Sequence, residues 1–171
     1  MKDAAESALQ SPPKTMGGLI GGEACALAAF LQKREPVCGT LLANAITYAM
    51  GVLEVNASMG LIVAAPTAGS SGVIPGVFLS LQKEFHFSDQ QMVQALFHAG
   101  AVGYLITRNA TVAGAEGGCQ AEVGSASAMA ASAAVELMGG SPEQCLNAAA
   151  SALSNLLGLV CDPVKGLVEV P

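Results

Sequence analysis

The stretch Ser88-Asp-Gln-Gln-Met-Val-Gln-Ala-Leu-Phe-His-Ala-Gly-Ala-Val-Gly-Tyr-Leu-Ile-Thr107 decides the fold class of this chain. Ser88 followed three residues later by Gln91 is the capping-box pattern with which many helices begin. Apolar residues then recur at the three- and four-residue spacing of one helix face: Met92, Val93, Leu96, Phe97, Ala101, Tyr104 and Leu105. The stretch therefore predicts an amphipathic helix from Ser88 to about Thr107.

Patterns of the same kind predict further helices on both sides of this one. Residues 41–53 have a one-sided apolar stripe, and the alanine- and serine-rich residues 123–138 predict a helix that packs closely against a neighbour. The helix predicted for residues 141–157 has Ser141 at its cap, Pro142 at its first position and Gly158 at its end. Residues 23–31 are also helix-prone, and another helix is expected to begin near Val73 or Pro75.

Evidence for strands is thin. The only short apolar run bounded by turn residues is 61–65, and a strand, an extended connector or a helix end all fit it. We therefore expect an all-α fold: a single compact helical domain over residues 1–171, with glycine-rich functional loops. Residues 1–13, which include Pro12 and Pro13, are expected to be a flexible leading segment.

Composition excludes several classes of function. Hydrophobic residues make up 52% of the 171 residues, but the longest uncharged stretch, 55–82, is interrupted by prolines and glycines. A membrane-spanning helix needs about 20 continuous apolar residues, so a membrane protein is disfavoured. The net charge is −6 without a basic run, which disfavours nucleic acid as a partner. No signal peptide is visible and the five cysteines are odd in number, so we expect a cytoplasmic protein.

The stretch Ala65-Pro-Thr-Ala-Gly-Ser-Ser-Gly72 precedes a predicted helix. Free backbone N–H groups at a helix start attract anions, and the hydroxyls of Thr67, Ser70 and Ser71 add donors. The stretch is interpreted either as a loop that binds a carboxylate or phosphate, or as an ordinary capped turn.

Two of the five cysteines, Cys119 and Cys161, lie in turns shaped by glycine or proline. Iron–sulfur clusters use thiolate ligands in such turns, where N–H groups can also reach the sulfides. No C-x-x-C pair is present, which disfavours a zinc ribbon. The alternative is that both are small, partly buried thiols, the interpretation that we give to Cys25, Cys38 and Cys145.

His86 and His98 are the only histidines and are therefore candidates for a catalytic base. Each is as readily explained as a packed or surface histidine. No Ser-His-Asp arrangement, Walker loop or dinucleotide fingerprint can be assembled from the sequence. The catalytic base is left unassigned.

Several motifs taken in order resemble a known family. They are Lys14-Thr-Met-Gly-Gly18, Glu54-Val-Asn-Ala-Ser-Met-Gly60, Ala65-Pro-Thr-Ala-Gly-Ser70, Gly114-Ala-Glu-Gly-Gly-Cys-Gln-Ala-Glu-Val-Gly124 and Cys161-Asp-Pro-Val164. Together they resemble the α chain, or catalytic domain, of bacterial iron–sulfur-dependent L-serine dehydratase. The likeness runs from about Lys14 onward, and its last two motifs are the specific ones.

The resemblance implies a lyase that deaminates L-serine to pyruvate and ammonia in amino-acid degradation and gluconeogenesis, without pyridoxal phosphate. It implies a [4Fe–4S] cluster with one open iron, held by Cys119, Cys161 and a third cysteine expected just beyond Pro171. Thr67, Ser70 and Ser71 would then bind the substrate carboxylate. A regulatory or β domain or subunit is the expected partner and could supply the base. Assembly as a homo-oligomer is left open.

The chain ends at Pro171, before the expected third cysteine. We therefore expect a C-terminally truncated fragment of the catalytic domain that is inactive by itself and does not retain the cluster. The alternative is a non-catalytic helical binding module, whose cysteines are structural and whose glycine loop binds an anion.

Overall fold

The computed structural model describes residues 1–158, so Cys161 and the rest of the chain to Pro171 lie outside the described residues. Over residues 1–158 the chain forms seven helices and no strand: α1 Lys2–Gln10, α2 Glu23–Leu31, α3 Thr40–Ala57, α4 Val73–Phe85, α5 Asp89–Asn109, α6 Gly114–Leu137 and α7 Pro142–Asn155. The predicted all-α fold class is confirmed.

Capping chemistry sets the starts of α5 and α7, as the sequence predicted. The hydroxyl of Ser88 accepts the backbone N–H of Gln91, and the Gln91 side chain accepts the N–H of Ser88 in return. The same reciprocal pair joins Ser141 and Gln144, with proline at the first helical position. Both predictions are confirmed to within about two residues at either end. Residues 60–64 are a connector without helix or strand.

The helices pack through their small residues. On α5 the buried side is formed by Met92, Ala95, Ala99, Val102 and Gly103. Most of the large side chains of the predicted stripe are exposed instead, up to 78% for Phe97. Small side chains let two helices approach closely, and a Cβ added at Gly103 would lie only 2.9 Å from the Met129 sulfur of α6. The period was therefore read correctly, but the stripe of large residues is not the face that α5 buries.

The start of the chain corrects another expectation. Residues 2–10 form α1 rather than a flexible leading segment. The buried face of α1 packs against α3 and forms a small core with it, made of Ala4, Ala5, Ala8, Val52 and Val55. The proline- and glycine-rich pattern that suggested a leading segment begins only after this helix. A helix whose buried face consists of alanines gives little hydrophobic periodicity to read in a sequence.

No helix among residues 1–158 is both long and apolar enough to cross a membrane.

Candidate functional site

The loop of residues 65–72 leads directly into α4. The peptide bond between Ala65 and Pro66 is cis. Ser70 and Ser71 are both buried, and their hydroxyls donate to carbonyl oxygens of the same loop, those of Ala65 at 3.3 Å and Ala68 at 2.7 Å. These two serines therefore hold the shape of the loop. The predicted role of their hydroxyls in binding a ligand stays a prediction.

Other groups of this loop are better placed to meet a ligand. Thr67 is partly exposed, with its hydroxyl oxygen 3.2 Å from that of Ser70. The backbone N–H groups of Gly69 and Ser70 donate to no acceptor within residues 1–158. Asn56 of α3 donates its side-chain amide to the Ala68 carbonyl at 3.1 Å, which ties the loop to that helix. The loop thus keeps N–H donors at the start of a helix that has no side-chain cap.

Cys119 lies at a break in α6. Gly118 has φ 74° and ψ 176°, a conformation outside the helical region that glycine adopts readily, so the long inner part of α6 begins at Cys119. Cys119 is half-buried and is not in a disulfide. A Cβ added at Gly118 would meet no atom of residues 1–158 within 4 Å. The N–H groups of a helix start suit a thiolate ligand of a metal cluster.

The loop 65–72 and the Cys119 segment meet at Glu122. A Cβ added at Gly69 would lie 2.8 Å from Glu122 Oε2. One added at Gly114 would lie 2.8 Å from the carboxyl carbon of the same side chain. Glycine at both positions makes room for the carboxylate between two stretches of backbone. The structure therefore brings the loop 65–72 and the glycine-rich motif of Cys119 together, one turn of helix away from Cys119.

Sequence reasoning did not select Glu122 as a site residue. The available signal was its position three residues after Cys119, within a glycine-rich motif. Its contact with Gly69 joins residues far apart in the chain, so no local pattern could have revealed it.

The remaining described cysteines lie elsewhere. Cys25 is in α2, Cys38 precedes α3, and Cys145 is buried in the first turn of α7. Burial, followed by the negative charge of Glu136, raises the pKa of the Cys145 thiol, as expected for an unreactive cysteine in a core. Within residues 1–158 no three His, Cys, Asp or Glu side chains form a group that could hold a metal ion. The predicted pairing of Cys119 with Cys161 falls outside the described residues.

His98 contacts a serine and a glutamate in an arrangement that no sequence pattern indicated. Its Nε2 lies 2.8 Å from the Ser132 hydroxyl and its Nδ1 lies 3.1 Å from Glu136 Oε1. This is the order of groups in a serine–histidine–acid triad. However, Ser132 has 0% exposure, so no substrate can reach its hydroxyl, and the three side chains tie α5 to α6. The other histidine, His86, is exposed and ends α4 with φ 56°.

A family model and two similar known proteins carry the same description. The family model described as "Serine dehydratase alpha chain" matches residues 1–171. A probable L-serine dehydratase, alpha chain, of Bacillus subtilis is 52% identical over 154 residues, which cover 90% of this chain and 51% of that protein. The L-serine dehydratase, alpha chain, of Peptoniphilus asaccharolyticus is 48% identical over 153 residues, covering 90% and 52%. The chain thus spans about half the length of these relatives.

Proposed function

Since this chain belongs to the serine dehydratase alpha chain family, we propose that it forms part of an enzyme that deaminates L-serine to pyruvate and ammonia. The observation that carries the proposal is the contact between Gly69 and Glu122. This contact joins a loop that has N–H donors to Glu122, which follows the half-buried Cys119 by three residues. A substrate with a carboxylate at one end and a hydroxyl at the other can be held at both ends there, which dehydration requires.

In this proposal the loop 65–72 binds the substrate carboxylate. The hydroxyl of Thr67 and the N–H groups of Gly69 and Ser70 are the donors that can reach it. The hydroxyls of Ser70 and Ser71 keep the loop in shape through their carbonyl contacts and can turn toward a bound anion only by giving those contacts up.

Cys119 and Cys161, with a third cysteine, would hold a [4Fe–4S] cluster. When bound, such a cluster supplies a Lewis-acidic iron for the departing hydroxyl group. Pyridoxal phosphate has no part in the proposal. The contribution of the chain's own residues is to bind the substrate at its carboxylate, orient it toward the Cys119 segment, and restrict the water around it.

A further domain or subunit is the proposed partner. Gly69 and the residues from Ala115 to Gly118 are exposed, so the described residues leave one side of the site open to water. Covering this side would exclude water and strengthen every electrostatic contact in the site. The covering part would be the regulatory or β component, and the unassigned base would come from it. As a metabolic lyase the enzyme would act in the cytoplasm.

The proposal is tested with two cysteine variants of the complete, anaerobically purified enzyme that contains this chain. Cys119→Ala should abolish both the visible absorbance of the cluster and the formation of pyruvate from L-serine. Cys25→Ala, a matched control in α2, should retain both. Undiminished turnover in Cys119→Ala would contradict the mechanism. Wild-type enzyme with neither absorbance nor pyruvate formation would favour the alternative, a helical module that only binds an anion.

A further inference from the structure

The carboxylate of Glu122 lies where the loop 65–72 meets the Cys119 segment. Within residues 1–158 it accepts no hydrogen bond and forms no ion pair, although it is partly withdrawn from water. By contrast, Glu116 in the same motif accepts the Thr111 hydroxyl at 2.6 Å, and Glu23 accepts the Gly21 N–H at 2.6 Å. A partly buried carboxylate without donors loses hydration and gains nothing in return.

The surroundings of Glu122 fix where such a partner would be placed. The carboxylate lies against the backbone of Gly69 on one side and of Gly114 on the other. The N–H groups of Gly69 and Ser70, which have no acceptor within the described residues, belong to the same loop. One negative group and a set of donors for a negative ligand therefore lie side by side at one junction.

This arrangement has the polarity of an α-amino acid, whose ammonium and carboxylate groups are attached to the same carbon. Donors in the loop would take the carboxylate, and the carboxylate of Glu122 would take the ammonium. An acid of the same shape that lacks the ammonium would bring no positive charge to Glu122. Selection against it would come from leaving that charge unpaired, as specificity usually does.

We propose that Glu122 is the residue that recognises the ammonium group of the substrate and makes the site selective for amino acids over hydroxy acids. The inference rests on the proposed function, because it takes the same junction as the substrate site. It adds a residue and a selectivity that the loop and the cysteines do not supply.

The test compares binding of two ligands to the complete enzyme by calorimetry, which does not depend on turnover. L-Serine and L-glycerate have the same carbon chain, carboxylate and terminal hydroxyl, but glycerate has a hydroxyl where serine has the ammonium. Wild-type enzyme should prefer L-serine. Glu122→Gln should weaken L-serine binding by about 10- to 100-fold, the range for losing a hydrogen bond to a charged group, and should change L-glycerate binding little.

Two further variants separate the contact from a general change of charge. Glu116→Gln removes an equal charge from the same motif and should leave the preference for L-serine unchanged. Gly69→Ala keeps the charge but puts a methyl group 2.8 Å from Glu122 Oε2, so the carboxylate must move and the preference should fall.

The outcomes separate this inference from the proposed function. If wild-type enzyme binds L-serine and Glu122→Gln keeps the same preference, the role of Glu122 is wrong while the proposed function stands. If wild-type enzyme binds both ligands equally, the same conclusion follows. If it binds neither, the proposed function fails and the inference fails with it.

Discussion

Two glutamates of this chain, Glu54 and Glu122, differ in their burial and in their hydrogen-bond partners. Glu54 of α3 has 1% exposure, and its Oε1 accepts the N–H of Ala24 in the first turn of α2 at 2.9 Å. Its Oε2 is also buried and has no hydrogen-bond partner among residues 1–158. Glu122 of α6 is only half-buried and lies against two glycines, and no donor in the described part of the chain bonds to it.

The difference lies in what surrounds each carboxylate. Around Glu54 the neighbours are packed helices, and α2, whose N-cap Gly22 offers no side chain, takes its cap from another helix. Around Glu122 the neighbours are a loop and a break in a helix, where no atom of the described residues would meet a Cβ at Gly118. Packed surroundings turn a carboxylate into a structural acceptor, whereas an open junction leaves it ready for a ligand.

Glu54→Ala should have the largest effect on stability. The buried N–H of Ala24 loses its acceptor, which costs about 1–3 kcal/mol, and the shorter side chain leaves a cavity. Removal of the unsatisfied Oε2 acts against these losses, so we expect a net fall of about 2 kcal/mol in the free energy of unfolding. Denaturant unfolding of the chain measures it.

The matched control is Glu54→Gln, whose amide oxygen can still accept the Ala24 N–H. It should lose less than half as much stability as Glu54→Ala. Glu122→Ala should unfold like the wild type, to within about 0.5 kcal/mol. If Glu54→Ala were as stable as the wild type, or if Glu122→Ala lost more, the contrast between the two glutamates would not hold.

Two glycines give a closer form of the same comparison. A Cβ at Gly51 would lie 2.9 Å from the Ala5 carbonyl oxygen, and a Cβ at Gly69 would lie 2.8 Å from Glu122 Oε2. The first obstacle is the backbone of a packed helix, and the second is the tip of a side chain that can move. Gly51→Ala should therefore cost about 1–2 kcal/mol of unfolding free energy even after the gain in helix propensity. Gly69→Ala should cost no more than about 0.5 kcal/mol.

Thermal unfolding of the two single variants in one buffer would decide this prediction. Equal losses would show that the region around Glu122 is packed as firmly as the region around Glu54. In that case, the interpretation of the loop as a ligand site would lose its physical basis.

The sequence predicted α5 and α7 well because their starts depend on local chemistry. Ser88 with Gln91, and Ser141 with Gln144, satisfy N–H groups within three residues, so their patterns are visible in the chain. The buried faces could not be predicted in the same way. Which face of α5 is covered depends on the approach of α6 at Gly103, and tertiary contact outweighs the period of the large residues.

Some residues of the candidate site could be predicted from local sequence, and others depend on contacts between distant parts of the chain. Its loop and Cys119 could be selected from the sequence because glycines and hydroxyls cluster there. Glu122 could not be selected, because its place in the site depends on its proximity to Gly69, more than fifty residues earlier in the chain. The buried carboxylate of Glu54 was likewise visible only as part of a motif. Its acceptor role depends on Ala24, thirty positions away.

The smallest expected effect is the pH dependence of stability that Glu23 contributes at the start of α2. The N–H of Gly21 donates to Glu23 Oε2, and this hydrogen bond is the largest cause that lowers the Glu23 pKa below 4.5. A carboxylate whose pKa is lower in the folded state adds stability at pH values above its unfolded pKa. That contribution is lost as the pH falls through the folded value, because the unfolded chain then binds more protons.

Glu23→Gln has no such titration. The difference in unfolding free energy between wild type and Glu23→Gln should therefore be constant near neutral pH and should shrink as the pH falls below about 4.5. Because Glu23 is exposed, the difference should be small and should decrease further in high salt. Unfolding curves at several pH values, at low and high salt, measure it. A difference that stays constant into acid would mean that the Gly21 contact does not favour the charged carboxylate, and Glu54 alone would then account for the structural role of acidic groups at the start of α2.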